Sequence, residues 1–271
     1  MIKKLYPNGK SKAFNITYDD GVVQDIRFVE LLNRYNIKGT FNLNSQLMAE
    51  QFCWTHPCGM DVRRLPAETV VDLYKGHEVA CHTLTHPYMH DMDEGAVMYQ
   101  LGQDKYNLEL LFGREICGFA VPFDYYSPLI ADCAKRCGFE YARMSERSFS
   151  YIPSAEYWWW QCGVFHLDED FNVYIENFFK TDTELALCQI VGHSYDLDAE
   201  NMWEDMENIL GRIAADNSVA SMTNLEIVRY LKAIRSAETA GNYIRNHSDL
   251  PLWFDVDGRV IRVNPHETFN I

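Results

Sequence analysis

Positive charge is scarce in this sequence: 24 lysines and arginines stand against 39 aspartates and glutamates, a formal net charge of −15 over 271 residues. That deficit excludes a polyanion such as nucleic acid as the main partner, because gripping a phosphate backbone takes cationic side chains. Long apolar runs are missing too. No stretch reaches the ~18 uninterrupted apolar residues that read as a spanning helix, so no membrane partner is expected. The opening "MIKKLYPNGKSKAFNITYDDG" has lysines but neither the apolar stretch nor the small-residue cleavage site of a secretory signal, and a soluble, cytoplasmic protein is expected. Eight cysteines occur, at positions 53, 58, 81, 117, 133, 137, 162 and 188, with no repeated C-x-x-C pair. Without an export signal a disulfide framework is not expected. Cys53 and Cys58 bracket His56, but no second ligand pair follows at a matching spacing, so the thiols are read as small, buried or reduced rather than as a structural zinc site.

Apolar residues make up 47% of the chain, enough for a substantial core. Strand and helix patterns alternate. The strand "AFNITYD" precedes "VQDIRFVELLNRYN", whose Ile26, Val29, Leu32 and Tyr35 form a helical stripe. "GTFNLN" reads as the next strand and residues 45–64 as a long loop. Pro66 opens a helix that Gly76 ends. "EVACH", "GFAVPF", "EYARM", "GVFHLD", "ALCQIVGHS" and "SVASM" read as further strands, with helices over 92–112, 127–138 and 199–217. "TNLE" at 223–226 is a capping box for a last helix. Seven or eight strand–helix units imply a parallel, helix-covered sheet, and closing it gives an α/β barrel. The tail "PLWFDVDGRVIRVNPHETFNI" has two apolar runs around "DG", a hairpin signal. The expected division is therefore 1–238 for the barrel and 239–271 for a small β-hairpin appendage packed on it.

Two stretches point to chemistry. "TYDDG" at 17–21 ends a strand on adjacent carboxylates, which suits either a polar turn or a catalytic rim. "HTLTH" at 82–86 sets two imidazoles four residues apart, and Pro87 makes a strand-to-loop transition more apt than a helix there. Two histidines and one carboxylate form a common set for a catalytic divalent metal, with positions left open for water and substrate. If a strand brings Asp19 and Asp20 to the rim that holds His82 and His86, one aspartate can complete the set while the other serves as base.

The order of these motifs resembles the polysaccharide deacetylases, the NodB-homology carbohydrate esterases. "TYDDG" is similar to that family's first motif, "KGTFNLN" to the strand after it, "HTLTH" to its second motif, "GFAVPFDYY" to its third and "IVGHSYD" to its last, over residues 12–235. The resemblance implies a distorted barrel of seven or eight β/α units. It makes Asp19 the general base, Asp20, His82 and His86 the ligands of one divalent ion, and His193 the general acid. Zinc comes first among zinc, cobalt, nickel and manganese. Phe123 would lend a backbone N–H to the oxyanion, and Val191 would line the pocket for the acetyl methyl.

The sequence departs from the family at three places. Ala120 stands where the third motif usually begins with an arginine, and Asp124 replaces a common glycine. The fourth motif, with its Asp and Trp, gives way to "EYWWWQCGVFHLDED", where Trp160 or His166 could stand in and the tryptophans suit a sugar face, a core or an interface. The implied activity is metal-dependent hydrolysis of an amide, foremost removal of an N-acetyl group from an amino sugar or saccharide. Opening of a cyclic amide or ureide is a second reading, and a catalytically inactive carbohydrate-binding protein a third. The expected partner is a small molecule or saccharide, and self-association is left open.

Overall fold

A computed structural model describes all 271 residues. In chain order the elements are β1 (Ile2–Leu5), β2 (Lys12–Asp19), α1 (Asp25–Arg34), β3 (Gly39–Leu43), β4 (Cys53–Thr55), β5 (Asp61–Arg63), α2 (Ala67–Leu73), β6 (Glu78–Cys81), α3 (Glu94–Phe112), β7 (Gly118–Ala120), α4 (Pro128–Arg136) and β8 (Tyr141–Arg147). There follow β9 (Trp160–Cys162), β10 (Val164–Phe165), α5 (Phe171–Lys180), β11 (Ala186–Gly192), α6 (Ser194–Ala199), α7 (Trp203–Ala215), β12 (Val219–Ser221) and α8 (Asn224–Ser236). The tail adds β13 (Glu238–Ala240), β14 (Tyr243–Arg245), β15 (Leu252–Val256), β16 (Arg259–Val263) and β17 (Thr268–Asn270).

The central sheet is parallel and runs β10-β11-β2-β3-β6-β7-β8-β9. β12 pairs with the first half of β2, Lys12 to Phe14, below the stretch from Ile16 to Asp19 that pairs with β3. Gly163 alone separates β9 from β10, so the two edges of the sheet meet and the barrel nearly closes. A Cβ at Gly163 would lie 2.7 Å from the Gln189 carbonyl oxygen, so only glycine fits at this seam. The distorted α/β barrel expected from the sequence is the observed fold.

β2 shows how its sequence makes a barrel stave. Phe14, Ile16 and Tyr18 point outward into the core shared with the helices. Asn15, Thr17 and Asp19 alternate with them, as strand geometry requires, and point into the barrel. The barrel interior is accordingly polar. Gln189 Nε2 donates to Asn15 Oδ1 (3.2 Å) and Asn224 Oδ1 (3.1 Å), Asn224 Nδ2 to Thr17 Oγ1 (3.3 Å), and Asn42 Nδ2 to Thr17 Oγ1 (2.9 Å). Buried polar groups of this kind are tolerated when hydrogen-bonded, and this chain of bonds supplies most of their partners, Asn42 Oδ1 being left without a donor. The capping box expected at Thr223 and Glu226 is present and starts α8 at the foot of the barrel.

Several expectations need correction. The tail is more than a hairpin: β15 and β16 do pair around Asp257–Gly258, but β1 joins them in one three-stranded sheet, and β13, β14 and β17 make a second. Residues 45–64 are not all loop, since β4 and β5 form an antiparallel hairpin. α5 and the short α6 fall where no helix was expected. All eight cysteines are free, yet Cys53 and Cys58 are exposed rather than buried. No helix is long and apolar enough to cross a membrane.

His77, just ahead of β6, is a neutral structural ring. Its Nδ1 accepts the Gly39 N–H (3.0 Å), which leaves the proton on Nε2, facing Asn33 Oδ1 at 3.2 Å. Burial, with Arg114 adding to it, lowers its pKa to about 4. The unfolded chain therefore binds a proton that the folded ring refuses, and stability drops as pH falls from about 6.5 towards 4. His77→Gln should flatten this part of the curve: unfolding midpoints measured across the interval should converge for the two proteins as the pH is lowered.

Candidate metal centre

Adjacent strand residues normally face opposite ways, so Asp19 and Asp20 could share a site only if the backbone turned between them. It does: Asp20 has φ 87°, in the left-handed region that costs a non-glycine residue energy and recurs at functional sites. Gly21 follows at φ 63°, and a Cβ there would lie 2.8 Å from Leu43 Cδ2. Both carboxylates consequently face the mouth of the barrel. Asp19 Oδ2 lies 3.9 Å from His82 Nε2, Asp20 Oδ1 3.7 Å from His86 Nε2, and Asp20 Oδ2 4.0 Å from His193 Nε2.

His82 leaves the end of β6 and His86 the turn after it, with Thr83 and His86 at φ 69° and 53°. His82 Nδ1 donates to the Ala120 carbonyl at 2.9 Å, which fixes the tautomer and leaves the Nε2 lone pair free. Burial lowers its pKa to about 4 and also lowers that of His86, so both rings are neutral. Asp104 of α3 accepts the backbone N–H groups of His82 (3.2 Å) and Ser45 (2.7 Å), tying the second motif to the loop after β3.

Asp19 is held from inside the barrel. Asn42 Nδ2 donates to its Oδ1 at 2.7 Å, and the guanidinium of Arg143, fully buried on β8, forms a short ion pair with the same oxygen. Burial alone would raise this carboxyl's pKa, but Arg143, His82 and His193 outweigh it and keep the pKa below the usual value. Arg143 thus supplies the charge that Ala120 lacks. The two residues are register partners on neighbouring strands, so the guanidinium reaches the same carboxylate from one strand over.

His193, at the end of β11, turns Nδ1 to Asp196 Oδ2 at 2.9 Å and so presents Nε2 to the carboxylates. Burial lowers its pKa, but the Asp196 bond and the charges of Asp20 and Asp19 more than compensate and the net shift is upward. Asp196 in turn stays ionised, its pKa lowered to about 2 against the pull of burial by His166 and His193. His166 is buried between Tyr18 Oη, 2.7 Å from its Nδ1, and Asp196 Oδ2, 3.6 Å from its Nε2. It belongs to the support of the site.

The remaining sequence candidates fall at different distances from the centre. Phe123 is 61% exposed, with its ring edge-on to His86 at 4.7 Å between centroids. Val191 lies two residues before His193 on β11 and is fully buried. Trp160 corrects its sequence reading. Its ring is buried against Tyr141 and Tyr157, in the apolar cluster shared with α8 and the tail, and it offers no face to a sugar. Arg143, Asp196, Asn42 and Arg64 were not anticipated. Asp196 had a signal in the three-residue spacing of "HSYD"; Arg143 had only its place as the one cation in the strand "EYARM".

One ligand atom from each of Asp20, His82 and His86 lies within 4.8 Å of the others. Asp20 Oδ1 is buried without a hydrogen-bond donor, although Arg64 Nη2 is 3.0 Å away, because that nitrogen lies out of line for a bond. A buried acceptor left over beside two neutral, outward-facing imidazole nitrogens is the donor set of a divalent cation, and the residues fit one.

The fold and the centre together define a parallel α/β barrel with a two-histidine, one-carboxylate site at the C-terminal ends of its strands. Residues 7–142, half of the chain, match the family model described as polysaccharide deacetylase, and the chain belongs to that family of hydrolytic enzymes. Among solved structures it is similar to a Mycobacterium smegmatis protein grouped with the polysaccharide deacetylases (16% identity, 86% of this chain and 94% of that one, TM-score 0.59). A Clostridium thermocellum family 4 acetyl xylan esterase in complex with a cobalt ion also matches (16% identity, 81% and 91%, TM-score 0.52). So does a mutant of a Bacillus anthracis family 4 pseudoenzyme with restored activity (16% identity, 83% and 70%, TM-score 0.53). At such identities these likenesses speak to the fold. No curated protein matches.

Because Arg143 and Asp19 are both buried, removing either leaves its partner uncompensated, at a cost of about 3–5 kcal/mol. Arg143→Ala should destabilise by that order, and the double variant with Asp19→Asn should cost less than the sum of the two single changes. Denaturant unfolding of all four proteins measures this coupling.

Proposed function

We propose that the protein is a metal-dependent amide hydrolase that removes the N-acetyl group from an amino sugar or a short saccharide. The observation that carries this reading is the convergence of Asp20, His82 and His86 from two strand ends, with Asp19 on one side and His193 on the other. When bound, the divalent ion supplies Lewis-acid activation of the scissile carbonyl and of the attacking water.

The chain's own residues divide the proton work. Asp19, kept ionised by Arg143, accepts the proton of the attacking water at Oδ2, the oxygen Arg143 leaves free. His193, whose proton affinity Asp196 raises, delivers a proton from Nε2 to the departing amine. Without that proton the amine would be a poor leaving group. Phe123, whose ring lies edge-on to His86, would lend its backbone N–H to the developing oxyanion. Zinc, cobalt, nickel and manganese all suit the donor set.

Metal analysis of the purified protein beside an Asp20→Ala/His82→Ala variant tests the reading together with an acetate-release screen of N-acetylated sugars. About one equivalent of retained metal in the native chain alone, with acetate released and chelator-sensitive, is the expected result. Equal and negligible metal in both proteins would remove the assignment. Sugar binding that is independent of metal and releases no acetate would favour a binding protein instead.

A further inference from the structure

The β4–β5 hairpin carries side chains that the metal centre does not use. It follows β3 and reaches the residues after β11, where Trp54 packs edge-on to Tyr195 (5.4 Å between centroids) and His56 lies against the same ring (5.9 Å). Its base is pinned: Val23 N–H donates to the Arg63 carbonyl (2.9 Å), Leu65 N–H to the Gly21 carbonyl (2.8 Å), and Arg64 Nη1 to Asn44 Oδ1 (2.8 Å) and the Asp20 carbonyl. Its turn is closed by His56 N–H to the Met60 carbonyl (2.8 Å) and Gly59 N–H to the His56 carbonyl (2.8 Å). The side chains at this turn therefore sit on a fixed mount.

A thiol, an imidazole and a carboxylate follow one another there. Cys58 Sγ, on an exposed residue, lies 3.1 Å from His56 Nδ1, and His56 Nε2 lies 3.7 Å from Asp196 Oδ1. The Cys58 backbone N–H also donates to His56 Nδ1 at 3.3 Å. A backbone amide can only donate, so Nδ1 carries the lone pair and the proton of the neutral ring is on Nε2, facing Asp196. This tautomer can take up the thiol's proton, and the ionised Asp196 then faces the imidazolium that results. A nucleophile within hydrogen-bond reach of a base, with the base oriented by a third group, is the arrangement that activates a nucleophile. Cys53, on the same hairpin, is exposed as well but is hydrogen-bonded to no imidazole.

We infer that Cys58 is a nucleophilic thiol, with His56 as its base and Asp196 orienting the ring, and that it reacts with low-molecular-weight disulfides to form a mixed disulfide. The Cys58 proton passes to His56 Nδ1, and the thiolate attacks one sulfur of the disulfide. The old S–S bond breaks as the bond to Cys58 forms, and the departing thiolate takes the proton from His56. Cys58 is oxidised and the departing half of the disulfide is reduced to a thiol. This chemistry needs neither the metal nor an acetylated sugar. It puts a reversible, redox-dependent substituent on the hairpin whose Trp54 packs on Tyr195, the ring stacked on His193 at 4.7 Å.

The experiment treats the full-length protein at neutral pH with dipyridyl disulfide, an uncharged probe, and follows the mixed disulfides by mass spectrometry of the peptides that hold Cys53 and Cys58. The ratio of the two rates is the readout, so Cys53 serves as the control within each molecule. An unassisted thiol is only a few per cent thiolate at neutral pH, and Cys58 should therefore react about tenfold or more faster than Cys53. His56→Gln should bring the ratio down to about one, and Asp196→Asn should lower it part of the way. Equal rates in the native protein would overturn the inference, as would a ratio that survives His56→Gln, since exposure alone would then account for it. A ratio that Asp196→Asn leaves untouched would overturn the orienting role of the carboxylate.

Discussion

The ion pair between Arg143 and Asp19 organises the molecule. A fully buried guanidinium needs a fixed counter-charge, and a buried carboxylate that is to stay ionised needs a fixed cation. Each supplies the other's requirement across the barrel, from β8 to β2. The pair also sits at the upper end of the hydrogen-bonded chain through Asn42, Thr17, Asn224 and Gln189. The interior thus transmits position from the start of α8 to the base of the site, and the polar side chains that make the barrel a poor oil-filled core make it a stiff mount for one carboxylate.

Much of this could be read from the residues. "FNITYD" shows its alternation directly, and the glycine after two aspartates marks the place where alternation breaks. "HTLTH" and "IVGHSYD" gave the histidines, since their spacing along the chain is local. What could not be read depends on distant parts of the chain. The partnership of Ala120 with Arg143 follows from the register of two strands separated by a helix, and nothing in either strand announces it. Trp160 misled because an aromatic run looks the same whether it faces sugar or core, and the tail that covers it lies some distance on in sequence. α5 was legible in principle: Phe171, Tyr174, Ile175 and Phe178 are spaced as a helical stripe, and all four are buried.

Strained backbone recurs where the side chains must converge. Asp20, Thr83, His86, Phe123 and Asp124 all have left-handed backbones, and all lie at the ends of barrel strands or in the turns just after them. The regular strands bring three motifs to one rim, and these turns then aim the side chains. The surrounding hydrogen bonds, such as those accepted by Asp104 and donated by Arg64, hold conformations that an isolated loop would abandon.

The sheet of β1, β15 and β16 joins segments far apart in sequence, with Ile2 opposite Val256. During synthesis the first strand therefore emerges long before its partner exists, and the contact it finally makes is among the most non-local the chain can form. A ribosome that stalled before residue 252 would release a chain whose leading strand had an unmatched edge, free to pair with a neighbour. That sheet can close only once residues 252–263 have been made.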